Sequence, residues 1–177
     1  MRIGIDIDGT LNNLDEVVRN IRLHEENVIL DECKYELYPD MDNSQIDDFN
    51  IRHAKHLIDW VKPTNHACEI IPKLSRKHDL FIITARASHY DLLNTIAWFE
   101  KNHFNLSHFK SLLFDCHDKA KICLKKDIDI MIDDAPHHLY ALCEHQIPTI
   151  KFDHLYNSTS PCTYHTNDWR EIYDLLR

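Results

Sequence analysis

Short apolar runs alternate along the chain with longer stretches in which apolar residues recur at helical spacing. The short runs are rich in β-branched residues, as strands that are covered on both faces should be. They predict five strands, over residues 2–7, 80–84, 111–114, 128–132 and 149–152.

The intervening stretches predict helices. Residues 65–77, for example, carry apolar side chains at 67, 70, 71 and 74, which form one helix face. The predicted helices of this part of the chain cover residues 65–77, 88–102, 117–126, 136–145 and 167–176. Strands that alternate with helices in this way predict an α/β fold, with a Rossmann-like parallel five-stranded sheet and helices on both faces.

Residues 13–62 do not follow this alternation, because no convincing strand lies between the first strand and Pro63. Residues 13–27 and 44–61 have helical patterns, and residues 35–42 between them are rich in turn formers. We therefore predict a core domain of residues 1–12 and 63–177, with 13–62 as a small helical cap over the carboxyl end of strand one. Hinges are expected near 12–14 and 62–63.

Composition narrows the classes of partner. The 177 residues, 44% of them hydrophobic, suffice for one core, and the net charge of −9 argues against a nucleic-acid polymer as partner. Six cysteines without a CxxC pair favour a reduced, cytoplasmic protein, and no apolar stretch predicts a membrane anchor. A homodimer is one state that the sequence leaves open. Most of the 14 histidines are expected at the surface, although the pairs 53/56 and 137/138 are possible adventitious metal ligands.

Chemically active side chains follow several of the predicted strands. The motif DIDGT (residues 6–10) ends strand one, TAR (84–86) ends strand two, and two aspartates (133–134) end strand four. The motif DKAK (118–121) opens the helix that precedes strand four. Ligands of open parallel sheets bind outside the carboxyl ends of the strands, so these groups are expected to share one crevice.

Carboxylates crowded together repel one another unless a cation lies among them. Oxygen ligands with room for water suit Mg²⁺. Asp6 and Asp8 are two residues apart and point the same way, and Gly9 permits close approach of the backbone. In phosphoryl transfer, one such carboxylate attacks phosphorus and the second serves as general acid and base.

The order of the motifs DIDGT, IITAR, DKAK and IDD resembles that of the haloacid dehalogenase (HAD) superfamily over the whole chain. The segments MIDDAPHH and KFDHLYN, with NDWREI near the end, resemble the small 5′(3′)-deoxyribonucleotidase-type phosphatases of that superfamily. This resemblance implies a Mg²⁺-dependent phosphomonoesterase that acts on (deoxy)ribonucleoside monophosphates through an aspartyl-phosphate.

The resemblance also implies a role for each matching residue. Asp6 would be the nucleophile and a metal ligand, and Asp8 the general acid and base, with its backbone carbonyl on the metal. Thr84 and Lys119 would bind the phosphoryl group and assist catalysis. Asp133 would complete the metal site.

Several assignments stay open. Asp134 is expected to act through water or behind the metal ligands, or to cap the following helix. Lys119 is preferred to Lys121 as the phosphate-binding lysine because it lies at the helix start. Arg86 either binds substrate phosphate or pairs with an acid, and Asn12 is expected to be a turn residue rather than a site residue.

The aromatic residues of the insert have two interpretations. Packing of a small lobe is favoured for Tyr35, Tyr38, Phe49 and Trp60, and stacking on a nucleobase is the alternative. Tyr156 and Asn157 follow strand five in a loop that approaches the site, but they are not expected to bind substrate.

Three other functions remain alternatives. A sugar phosphate or another small metabolite phosphate would be handled by the same chemistry. A receiver domain also uses an acidic Mg²⁺ pocket, but it carries its phosphorylated aspartate on strand three and lacks a long helical insert. A non-catalytic member of the phosphatase fold would lack a main group, and the sequence contains all of them.

Overall fold

A computed structural model describes the backbone of residues 1–177 and every side chain except that of Tyr90. Six strands form one sheet in the order β3-β2-β1-β4-β5-β6, and all neighbours in it are parallel. The strands are β1 (Arg2–Ile5), β2 (Asp79–Ile83), β3 (Phe109–Leu113), β4 (Ile130–Asp133), β5 (Thr149–Phe152) and β6 (Tyr164–Thr166).

Seven α-helices connect and cover these strands. They are α1 (Leu14–Glu26), α2 (Asn43–Trp60), α3 (Ala67–Leu74), α4 (Ser88–Lys101), α5 (Lys119–Lys125), α6 (Pro136–Glu144) and α7 (Trp169–Leu176). None of the helices in the described part of the chain is both long and apolar enough to cross a bilayer.

The sheet is buried on both faces, as its apolar strands predict. Ile3, Ile5 and Ile82 pack into a large cluster on one face that includes buried residues of α3, α4 and α7. Phe81 and Met131 point to the other face, where they meet buried residues of α5 and α6. The alternation along the strands therefore produces two separate apolar layers, and the strand ends are left to carry polar groups.

The sheet has six strands, so the prediction of five was wrong. Strand β6 has three residues and pairs in parallel with β5 at the edge of the sheet. Tyr164 and His165 are exposed and only Thr166 is buried, so the strand lacks an apolar run. It also follows a segment, 157–163, that is rich in Ser, Thr and Pro and has the composition of a loop. A short polar edge strand carries almost no signal in its sequence.

The two connections between 13–62 and the rest of the chain lie side by side. The backbone N–H of Asn13 donates to the carbonyl of Lys62 at 3.0 Å, and the N–H of Lys62 donates to Oδ1 of Asn13 at 2.7 Å. The N–H of Thr64 donates to the carbonyl of Leu11 at 3.0 Å. These bonds tie the start and end of the insert together next to β1.

Candidate active site

Asp6, Lys119 and Asp133 form the centre of the strand-end cluster. Asp6 directly follows β1 and Asp133 ends β4, and these two strands are neighbours in the sheet. Lys119, the first residue of α5, places Nζ 2.9 Å from Oδ1 of Asp6 and 2.7 Å from Oδ2 of Asp133. All three residues are almost fully buried, so each charge depends on the others for its stabilisation.

The ionisation of this cluster follows from burial and charge. Burial raises the pKa of Asp6 to about 7; the positive charge of Lys119 opposes this rise, and the negative charge of Asp133 adds to it. Burial alone would lower the pKa of Lys119, but the charges of Asp133 and Asp6 outweigh burial and raise it. Lys119 is therefore charged, and the carboxyl groups of the cluster outnumber the one lysine.

Asp134 lies beside the same cluster but has different hydrogen-bond partners. Its Oδ1 accepts from the Thr10 hydroxyl at 3.0 Å, and its Oδ2 accepts from the Tyr156 hydroxyl at 2.6 Å. Burial raises the pKa of Asp134, and the charge of Asp6 adds to this effect. Carboxylate oxygens of Asp6, Asp133 and Asp134 lie within 4.8 Å of one another. This set of three carboxyl groups offers the hard oxygen donors that Mg²⁺ prefers.

The carboxylate of Asp8 turns away from this group and pairs with Arg86. The guanidinium donates from Nε to Asp8 Oδ2 at 2.7 Å and from a terminal nitrogen to Asp8 Oδ1 at 2.5 Å. Its other terminal nitrogen donates to the Thr95 hydroxyl at 2.8 Å. The acid that Arg86 pairs with is thus a predicted catalytic residue, and the fork fixes the orientation of both carboxylate oxygens.

Thr84 lies at the end of β2, on the other side of β1 from β4. Its side chain is buried, and its hydroxyl oxygen accepts from the backbone N–H of Arg86 at 3.2 Å. This bond turns the chain so that the Arg86 side chain reaches Asp8. Three consecutive strands of the sheet thereby contribute Thr84, Asp6 and Asp133 at one edge.

The turn after Asp8 requires glycine. Gly9 has φ +77°, and a Cβ added there would lie 2.4 Å from Oδ2 of Asp134 and 2.9 Å from the Tyr156 hydroxyl. Both the backbone conformation and the space exclude a side chain. The glycine of the motif is therefore needed for close packing of the turn on Asp134.

The loop after β5 reaches the site through hydrogen bonds that the sequence did not predict. Tyr156 donates to Asp134, and Asn157 donates from Nδ2 to the Asp134 carbonyl at 2.8 Å and to the Phe152 carbonyl at 2.9 Å. His154 contacts the Gly9 carbonyl through Nε2 at 2.6 Å. The signal was the run of polar residues directly after a strand, at the edge where the other site residues lie.

Other predicted positions lie outside the centre of the cluster. Lys121 is exposed on α5, and its backbone N–H bonds to the Asp118 side chain that caps the helix. Asn12 is buried and donates from Nδ2 to Asp8 Oδ1 at 3.2 Å, so it contacts the site as well as forming the turn. Asn13 belongs to the paired connections of the insert.

Two clefts open next to Asp8, and the insert forms part of both. The larger, of about 340 Å³, runs from Asp8 and Asp134 to Tyr35 and Tyr38. The smaller, of about 200 Å³, is lined by Asp8, Arg86 and Tyr38, together with residues of α2 and α4. The Tyr35 ring also lies 5.4 Å from that of Tyr156 and 5.5 Å from that of His137, between ring centroids.

The four aromatic residues of the insert thus divide into two groups. Tyr35 and Tyr38 line the clefts, whereas Phe49 is buried in the large apolar cluster and Trp60 is half exposed and stacks on His56. A flat, partly apolar wall beside the carboxylates of Asp8 and Asp134 suits a planar ligand.

The family model "5′ nucleotidase, deoxy (Pyrimidine), cytosolic type C protein" matches residues 1–177. BH1399 of Halalkalibacterium halodurans, which is named as a candidate nucleotidase, is 27% identical over 177 residues, covering 96% of this chain and 89% of the relative.

Solved structures of the same fold include SP0104 of Streptococcus pneumoniae, a haloacid dehalogenase-like hydrolase. It has a TM-score of 0.70 and 14% identity, covering 99% of this chain and 98% of that one. YfnB of Bacillus subtilis, a candidate HAD hydrolase whose structure is described as bound to magnesium, has a TM-score of 0.64 and 12% identity, with coverage of 99% and 98%.

Proposed function

Because the chain belongs to the family of cytosolic type C 5′(deoxy)nucleotidases and is a phosphoric monoester hydrolase of HAD type, we propose that it dephosphorylates (deoxy)ribonucleoside monophosphates with Mg²⁺. The observation that carries this proposal is the placement of Asp6 against Lys119 and Asp133, with the Asp8–Arg86 pair at the mouth of a cleft lined by tyrosines.

In this mechanism the Asp6 carboxylate attacks phosphorus, and the bond from phosphorus to the ester oxygen breaks. Asp8, once it carries a proton and turns one oxygen from Arg86 to the substrate, protonates the departing oxygen, which leaves as the free hydroxyl of the nucleoside. Asp8 then takes a proton from water, whose oxygen attacks the aspartyl-phosphate, releasing inorganic phosphate and regenerating Asp6. Lys119 and the Thr84 hydroxyl bind the phosphoryl oxygens throughout.

Mg²⁺ would be held by Asp6, Asp133 and the backbone carbonyl of Asp8, with Asp134 beside it. When bound, it neutralises charge on the transferring phosphoryl oxygens. The buried cluster supports this assignment because its carboxyl groups outnumber the single lysine. Burial and neighbouring carboxylates raise the pKa of Asp6, and a cation bound there would lower it again.

We further propose that residues 13–62 act as a cap on a core of residues 1–12 and 63–177. The cap bears Tyr35, which contacts Tyr156 and His137 of the core, and Tyr38, which lines both clefts. The paired connections near Asn13 and Lys62 are the expected hinge. A closed cap excludes bulk water from the reacting groups and contacts the nucleoside.

A reducing, cytoplasmic environment is part of the same proposal. The family description names a cytosolic protein, and all six cysteines are free thiols in the structure. Cys116 and Cys123 are buried against the core, where they act as small apolar side chains.

The test is release of inorganic phosphate from a panel of phosphomonoesters, with Mg²⁺ and then with EDTA. The panel contains deoxy- and ribonucleoside 5′- and 3′-monophosphates and several sugar phosphates, with Asp6→Asn as the blank. We expect Mg²⁺-dependent turnover of nucleotides and none in the variant. Turnover of sugar phosphates alone would overturn the substrate assignment, and turnover by folded Asp6→Asn would overturn the mechanism.

A further inference from the structure

We propose that Glu25, His53 and His56 form a binding site for a divalent transition metal within residues 13–62, separate from the acidic cluster. Glu25 lies in the last turn of α1, and the two histidines lie one turn apart on the same face of α2. One ligand atom from each of the three residues lies within 4.8 Å of the other two. A metal there would join α1 to α2.

The first observation behind this site is that His53 has no hydrogen bond. The residue is 5% exposed, and both of its ring nitrogens lack a hydrogen-bond partner among the described residues. Nδ1 of His56 is also buried without such a partner. Burying an imidazole nitrogen without a partner is costly, and the large majority of buried side-chain polar atoms have one. A metal ion would bind one nitrogen of each histidine.

The second observation is the spacing of the ligand atoms. Nδ1 of His53 lies 3.6 Å from Glu25 Oε2, and Nδ1 of His56 lies 3.8 Å from Glu25 Oε1. Both distances are too long for hydrogen bonds. Ligands about 2.0–2.1 Å from a tetrahedral zinc ion are roughly 3.3 Å apart, so the observed gaps need only a small contraction to accept one ion.

The donor types select the class of metal. Two imidazoles and one carboxylate suit Zn²⁺ and the neighbouring divalent ions, including Co²⁺, whereas Mg²⁺ prefers oxygen ligands alone. The Glu25 side chain is 42% exposed, which leaves an entry path and room for water as a fourth ligand. The alternative is an ion pair of protonated histidine with Glu25, which would need no metal.

The test is titration of the untagged protein with Co²⁺ in excess Mg²⁺, which occupies the acidic cluster. We expect one equivalent to bind with the visible absorption bands of tetrahedral Co²⁺. At 100 times the Kd, the Tm should rise by about 5–10 °C. Quenching of Trp60, whose ring stacks on His56 at 4.0 Å, should follow the same titration.

Three variants make the test specific. Glu25→Gln and His56→Gln change partly exposed residues and should weaken Co²⁺ binding by about tenfold or more. His24→Gln removes an exposed histidine from the same turn of α1 and should bind Co²⁺ as the unchanged protein does. Absence of the absorption bands, unchanged binding in Glu25→Gln, or equal loss in His24→Gln would each overturn the site.

Discussion

The strand-end cluster of the sheet and the helical insert of residues 13–62 treat buried polar groups differently. In the cluster, buried charges face opposite charges at bonding distance: Lys119 contacts Asp6 and Asp133, and Arg86 forks onto Asp8. In the insert, Arg22 is also buried and pairs with Glu26 and Asp40, but the buried imidazole of His53 has no hydrogen bond among the described residues. The residues of the insert that face the clefts are mostly aromatic or apolar.

This difference has a structural cause. Asp6 directly follows β1 and Asp133 ends β4, and the parallel pairing of these two strands fixes the positions of both backbones. The insert has no strand, and its connections to the core are the paired segments around Asn13 and Lys62. We infer that the strand ends hold the reacting groups in fixed positions. The insert forms an adjustable wall of the clefts and determines which leaving group fits. Changes in the two regions should therefore have different consequences.

Replacing Lys119 should have the largest effect. Lys119→Met leaves Asp6 and Asp133 buried without their cation, which should lower the free energy of unfolding by about 3–5 kcal/mol. It also removes the group proposed to bind the phosphoryl oxygens, so kcat should fall by about 10²–10³-fold. Urea unfolding and phosphate release measure the two effects.

Lys121→Met is the matched control, because Lys121 lies two residues along the same helix and is exposed. Its stability and kcat should match those of the unchanged protein. If Lys121→Met lost activity while Lys119→Met kept it, the assignment of the phosphate-binding lysine would be reversed.

Arg86→Lys should have an intermediate effect. Lysine keeps the charge but cannot hold both oxygens of Asp8 as a planar fork. We expect kcat to fall by about 10–100-fold, which is less than the roughly 10²–10⁴-fold that a positioned acid or base contributes because Asp8 itself is kept. The free energy of unfolding should change little. Steady-state kinetics should show a loss in kcat. A rise in KM with kcat unchanged would instead indicate that Arg86 binds substrate phosphate.

Much of the fold could be predicted from the sequence. The strands with continuous apolar runs appear within two residues of the predicted ends, because burial on both faces leaves a simple pattern. Strand one was predicted to reach Ile7 but ends at Ile5, since the chain turns towards the site there. The edge strand β6 was missed because its pairing with β5, rather than its composition, makes it a strand.

The candidate site likewise has a part that the sequence predicts and a part that it does not. The motif residues lie at strand ends, and sheet topology alone predicts that they meet. The partner of Arg86 and the bonds of Tyr156 and Asn157 to Asp134 depend on how the turn after Asp8 and the loop after β5 pack together. Such contacts between loops leave no periodic pattern in a sequence, so the sequence analysis left Arg86 open and set Tyr156 aside.

Replacing Tyr38 in the insert should have the smallest effect on activity, and the effect should depend most on the substrate. Tyr38 lines both clefts, and its ring packs on Phe49 with 5.4 Å between centroids. Tyr38→Leu keeps an apolar side chain but removes the flat face. Stacking of a base on an aromatic ring contributes about 1–3 kcal/mol, so kcat/KM for nucleotides should fall about tenfold. Competition assays with pairs of substrates measure this ratio.

Substrates with and without a base distinguish a side chain that contacts the nucleoside from one that acts in catalysis. A phosphomonoester without a base should be hydrolysed by Tyr38→Leu as fast as by the unchanged protein, because the cluster of Asp6, Lys119 and Asp133 is intact. Trp60→Leu is the control within the insert, since Trp60 lies outside the residues that line both clefts. Equal losses for substrates with and without a base would mean that Tyr38 supports the Asp8–Arg86 pair. The insert would then help to position the reacting groups and would not act only as an adjustable wall of the clefts.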